Sequence, residues 1–124
     1  MPTLPRIVRY ANAILPAAIP PTVLSVDGVV PIFEDATFQI TKGSAAALSV
    51  AAPGLANVGR RLVFLTGSDF AHVVTFTGTT LQDGTTGLNT TWTSAAFAGS
   101  SLVVRAVSDT RWAVEAFNLG TIAP

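Results

Sequence analysis

Cysteine is absent from the chain, which removes disulfides, thiolate catalysis and cysteine metal sites together and leaves no dependence on redox compartment. Charge is scarce: only 11% of the 124 residues are Asp, Glu, Lys or Arg, against roughly 25% in an average soluble protein. The seven basic and seven acidic residues cancel to a net charge of +0, so nothing favours nucleic acid or an anionic membrane surface. Histidine occurs once. No uninterrupted run of about 20 apolar residues exists, which excludes a transmembrane helix on length.

What is present is apolar: 49% of residues are hydrophobic and mean hydropathy is +0.53, which excludes a disordered chain. A folded monomer of 12.8 kDa has on the order of 6,300 Å² of surface by the usual scaling. Fourteen charged side chains cover that surface thinly, so much of it is expected to face other protein, and a homo-oligomer is expected. Closed symmetry buries apolar surface without leaving open ends.

Proline divides the chain. Pro2, Pro5, Pro16, Pro20, Pro21 and Pro31 precede residue 33, and only Pro53 and Pro124 follow it. Proline fixes φ, removes an amide donor and pushes its predecessor toward extended backbone. Residues 1–33 are therefore expected to be an extended N-terminal arm, with a β domain over 34–124. Arg6 and Arg9 before an apolar stretch superficially resemble a signal peptide, but Pro16, Pro20 and Pro21 interrupt that stretch, so no cleaved leader is expected. The arm carries Ile7, Tyr10, Ile14 and Leu15, unlike a solvated linker. With Arg6 and Arg9 these are its candidate contacts to a neighbouring subunit or to another protein.

From residue 36 onward, β-branched and aromatic residues alternate with small or polar ones between Gly and Asn/Asp turns. Strands are expected over 37–41, 46–51, 61–66, 72–77, 87–92, 101–107 and 111–117. The spacing predicts an all-β fold, as an antiparallel β-sandwich, jelly roll or small barrel. In the last strand Trp112, Val114 and Ala116 are expected on one face and Ala113, Glu115 and Phe117 on the other.

Chemistry-bearing motifs are few. His72 lies three residues after Asp69, yet no G-x-S-x-G elbow is present, and residues three apart in extended chain face opposite ways. A hydrogen-bonded strand histidine or a subunit contact is the expected role. The acidic residues are scattered, with Glu34-Asp35 the one adjacent pair, and no metal or cofactor is expected. Asn89-Thr90-Thr91 matches a glycosylation sequon, expected by chance in a threonine-rich stretch. Arg60-Arg61 and Arg105 are candidate contacts, since an interfacial arginine pairs bidentately with a carboxylate.

The run Ile40-Thr41-Lys42-Gly43-Ser44-Ala45-Ala46-Ala47-Leu48, followed by Ala51-Ala52-Pro53, resembles a pattern of small tailed-phage virion proteins of the head decoration or capsid cement kind. Gly59-Arg60-Arg61-Leu62, Ala71-His72-Val73-Val74-Thr75, Ala96-Phe97-Ala98-Gly99 with Ser101-Leu102, and Arg111-Trp112-Ala113-Val114 continue the resemblance in order. It covers about residues 38–115. Ser108-Asp109-Thr110-Arg111 departs from the usual closing turn, and the proline-rich arm has no counterpart. The resemblance implies a non-enzymatic β-rich virion protein, made in the host cytoplasm and bound to the major capsid protein across capsomer junctions, with a trimer favoured because capsid decoration commonly exploits local threefold sites. The alternative is a tail or head fibre module that recognises a host-surface glycan or protein. Trp92 and Trp112 are then candidate stacking residues, with core packing as their competing role.

Overall fold

The computed structural model describes residues 20–85 and 88–124, together with the backbone of two earlier strands, β1 (Ile7–Tyr10) and β2 (Ala13–Pro16). These two pair with each other as an antiparallel hairpin. The remaining strands are β3 (Thr22–Leu24), β4 (Gly28–Val29), β5 (Ala36–Ile40), β6 (Ala47–Ala51), β7 (Arg61–Thr66), β8 (Val73–Thr77), β9 (Thr80–Gln82), β10 (Thr91–Thr93), β11 (Ser101–Ala106), β12 (Arg111–Asn118) and β13 (Thr121–Ala123). One 3-10 turn, Leu55–Asn57, is the only helical piece among the described residues. The protein is all-β.

The strands form a six-stranded sheet in the order β3-β5-β7-β11-β12-β9 and a five-stranded sheet in the order β13-β10-β8-β6-β4. From β3 to β8 the chain crosses between the two sheets at every step. Each strand therefore lies parallel to the one two before it: β3, β5 and β7 in one sheet, β4, β6 and β8 in the other. After β8 the pattern changes. β11 pairs antiparallel to β7 and β12 antiparallel to β11, β10 adds antiparallel to β8 and β13 antiparallel to β10, and β9 closes the six-stranded sheet parallel to β12.

The expected antiparallel arrangement is thus corrected to two mixed sheets. A strand covered on one face alternates apolar and polar residues whichever way its neighbour runs, so periodicity does not carry direction. Parallel neighbours need a long crossover connection, and here a strand of the opposite sheet supplies it. The boundary expected at residue 33/34 is also drawn too late. β3 and β4 pair into the two sheets, and Val30 and Ile32 are buried in the core.

One hydrophobic core joins the sheets. Phe38, Ile40, Leu62, Phe64, Leu102 and Val104 come from the six-stranded sheet, and Leu48, Val50, Val74 and Phe76 from the five-stranded one. Phe38 and Phe64 are register partners on adjacent parallel strands, and their rings stack with centroids 5.4 Å apart. Trp92 and Trp112 are each 0% exposed. Core packing is their role, and a stacking platform built on them is ruled out.

A bulge-centred charge cluster and a buttressed tip

Arg61 opens β7, and its register partner on β11 is Arg105. Like charges directly opposite on adjacent strands repel, so the pair needs an anion between them. The ladder between β11 and β12 supplies one. Val103 pairs with Ala116 but Val104 pairs with Val114, which leaves Glu115 as the extra residue of a β-bulge. Released from the ladder, Glu115 accepts from Arg61 Nε through Oε1 at 3.1 Å and forms an ion pair with Arg105, whose Nε lies 3.3 Å from Oε2. The bulge also shifts the parity expected for the end of β12: Phe117 becomes the partner of core-facing Leu102 instead of sharing the face of Ala113.

The cluster extends to the loop before β7. Asp35 Oδ1 accepts from the Arg61 amide at 3.0 Å and lies 3.8 Å from Arg60 Nη1. Arg60 donates through Nε and Nη2 to Asn57 Oδ1, and Arg105 donates through Nη1 to the Gly59 carbonyl. Arg60, Arg61 and Arg105, separate in sequence, therefore converge at one end of the six-stranded sheet. Beside them lies a shallow cleft lined by Pro20, Asp35, Ala36, Thr37, Arg61 and Val63. Three guanidiniums against two carboxylates leave one net positive charge with half-exposed nitrogens, a site for a carboxylate on a partner surface. The arm candidates Arg6, Ile7, Arg9, Tyr10, Ile14 and Leu15 lie outside the residues described at side-chain level.

At the opposite end of β7 the buried polar groups gather. Thr66, His72, Ser94 and Ser100 are the buried polar side chains among the described residues. His72 Nδ1 accepts from the Ala46 amide at 3.0 Å. Ser68 donates its hydroxyl proton to the Lys42 carbonyl at 2.7 Å, so the 3.0 Å contact between Ser68 Oγ and His72 Nε2 is a donation from the ring. That bonding fixes a neutral imidazole with the proton on Nε2, and burial, the largest cause, holds its pKa below the usual histidine value. Asp69 faces elsewhere and accepts from the Ala98 amide at 2.8 Å. No Ser-His-Asp relay exists here, because the serine is committed as a donor to backbone and the aspartate to another loop.

This network holds two loops. Thr66 Oγ1 donates to the Phe97 carbonyl and accepts from the Ser100 amide, and the Gly99 amide donates to the Thr66 carbonyl. Ser94 Oγ accepts from the His72 amide and lies within bonding distance of the Phe70 and Ala95 carbonyls. Ser100 Oγ accepts from Ala95 and donates to the Asn118 carbonyl. Phe97 projects from this frame with 72% of its surface exposed, next to Phe70 at 39% and the turn residue Leu119 at 62%. Leu119 holds φ of 63° without being glycine, a conformation that costs energy.

Sequence reasoning missed this tip. The available signal was one large apolar residue, Phe97, set among small residues in an Ala-Ala-Phe-Ala-Gly stretch. The sequon residue Asn89 is occupied too, donating to Asp83 Oδ2 at 2.9 Å. No group of three or more potential metal ligands occurs among the described residues. Searches against family models, curated proteins and solved structures found no match to this chain.

Proposed function

We propose that the protein is a structural, non-enzymatic cement protein of a virion. It binds across junctions of the major capsid protein on the head surface, and its two sheets form a β-sandwich body. The observation that carries this reading is the tip, where Phe97, Phe70 and Leu119 stand exposed on loops bonded to buried Thr66, Ser94 and Ser100. Loops whose backbone is held this way lose little entropy on docking, which suits the side chains they carry to act as binding anchors. The hydroxyls beneath them are bonded inward, which favours an apolar protein surface over a sugar. The sparse charge of the chain and its resemblance to phage decoration proteins support the same reading.

A protein that binds the assembled lattice and not its free subunits stabilises the lattice by mass action. The hairpin of β1 and β2 serves as a second attachment, since an isolated two-stranded hairpin is marginal in water and gains from a partner. The Arg60, Arg61 and Arg105 cluster adds a charge-assisted contact.

The test is copurification. The protein is expected with isolated heads and not with tails, and heads lacking it are expected to rupture at lower temperature. Replacing both Phe70 and Phe97 by Ser, or deleting residues 1–19, should reduce head occupancy while the body stays folded. Recovery with tails alone, or full occupancy after both changes, overturns the proposal.

A further inference from the structure

The two sheets differ in what they show to solvent. The outer face of the six-stranded sheet holds Arg61, Arg105 and Glu115. On the five-stranded sheet, alternation sends Leu48, Val50, Val74, Phe76 and Trp92 inward. What remains outside is a straight cross-strand row of Val29, Ser49, Thr75, Thr91 and Ala123, set by the ladder registers. A second row of Ala47, Val73, Thr93 and Thr121 runs beside it. No side chain in either row is charged or longer than valine, and all are half-buried or exposed.

We propose that this face is where two copies of the chain meet, sheet against sheet about a two-fold axis. Three observations select a second copy. First, the two rows carry no charge, and the ion pair at their edge, Asp27 with Lys42 beside Ala47, is neutral as a pair, so the face meets its own image without net like-charge repulsion and offers little to an acidic or basic partner. Second, rows of short side chains make a flat surface. A flat surface is its own complement, whereas a projecting anchor such as Phe97 requires a socket. Third, the area sets the strength. At about 4.8 Å per strand and about 3.3 Å per residue, the face projects roughly 300–400 Å². That is about half of the ~800 Å² per partner of a standard stable interface.

Pairing by this face is therefore weak and concentration-dependent in free solution. It rests on the cement reading only for its use: copies anchored side by side on a shell reach the local concentration that completes the pair. The two-fold pair also departs from the trimer that the resemblance favours.

Sedimentation equilibrium of the full chain, from about 1 to about 500 µM, tests it without any shell. The mass should rise from 12.8 kDa toward twice that value across the range. Thr75→Glu and Thr75→Lys, at the centre of the face, should each weaken association at least tenfold, and mixing the two should restore it. Gln39→Lys, on the outer side of β5 in the other sheet and away from the arginine cleft, should associate as the parent does. Far-ultraviolet circular dichroism checks that each variant keeps its strands, and Thr91→Glu with Thr91→Lys replaces any pair that does not. A monomer at every concentration, a trimer, or association indifferent to the face charges overturns the inference. None of those results bears on whether the protein binds heads.

Discussion

Trp112 Nε1, on β12 of the six-stranded sheet, donates a hydrogen bond to the carbonyl of Ala51, the last residue of β6 in the five-stranded sheet, at 2.9 Å. The indole ring is wholly buried and lies against Phe76, with ring centroids 6.4 Å apart. One side chain thus supplies apolar area and directional bonding across the core, tying the two sheets in a single relative position.

Trp112→Phe should therefore cost more than lost area alone. It orphans the Ala51 carbonyl at the edge of the core and leaves a small void, for a loss of about 1–3 kcal/mol. Trp112→Ala should cost about 3–5 kcal/mol. Urea unfolding monitored by far-ultraviolet circular dichroism measures both. A Trp112→Phe loss no larger than the lost apolar area accounts for would contradict the bonding role.

His72 makes stability depend on pH. Its folded pKa is depressed, mainly by burial, so below the unfolded value of about 6.5 the unfolded chain binds the proton more readily. Stability is complete above that pH and falls as pH drops through it, by no more than about 1.4 kcal/mol per unit for one proton. His72 is the only histidine, and the lowered carboxylates Asp27 and Asp83, each held down first by a side-chain hydrogen bond, act at lower pH. The urea midpoint should drop between pH 7.5 and pH 5. A flat profile over that range would place the imidazole in contact with water.

Gly120 follows Leu119 in the turn between β12 and β13, with φ of 91°. A Cβ there would lie 2.5 Å from the Thr93 carbonyl oxygen and 2.8 Å from Trp92 Nε1. Gly120→Ala should destabilise by more than about 1 kcal/mol. Gly43→Ala, which meets nothing within 4 Å, should be near neutral. Thermal melting of the two variants side by side distinguishes them.

Glu115→Gln removes the charge that bridges Arg61 and Arg105. All three side chains are between 37% and 47% exposed, so screening keeps the loss below about 1 kcal/mol. The loss should shrink further in 1 M salt, where the Debye length is about 3 Å. A loss above 2 kcal/mol that ignores salt would show that the bulge itself had collapsed.

The strong alternation of Arg61–Thr66 and Ser101–Ala106 made those strands readable from sequence, and the structure keeps their starts. β3, β4, β9 and β13 span only two or three residues each, too few for a period to register. The strand expected over 87–92 lies instead at Thr91–Thr93. Gly87, where that strand is expected to start, lies outside the described residues, and before Thr91 Asp83 accepts from Thr85 and Asn89. Arg60, Arg61 and Arg105 were identifiable as candidates, yet Glu115 was not. Its place depends on one inserted residue in a ladder whose register is set by tertiary pairing. The parallel coils were hidden for a related reason: pairing direction leaves no mark on a single strand.

The change from parallel coils to antiparallel closure orders events during synthesis. β5 is available to pair with β7 as soon as β7 is made, but the other edge of β7 belongs to β11 and waits until Ser101–Ala106 has been translated. At about 5–20 residues per second that delay lasts a few seconds. Throughout it the nascent chain carries an unpaired strand edge with Leu62 and Phe64 on its inner face, the kind of edge that recruits other chains. Crowding of ribosomes on one message would turn this interval into the main hazard to yield, and slower elongation before residue 101 would lengthen it.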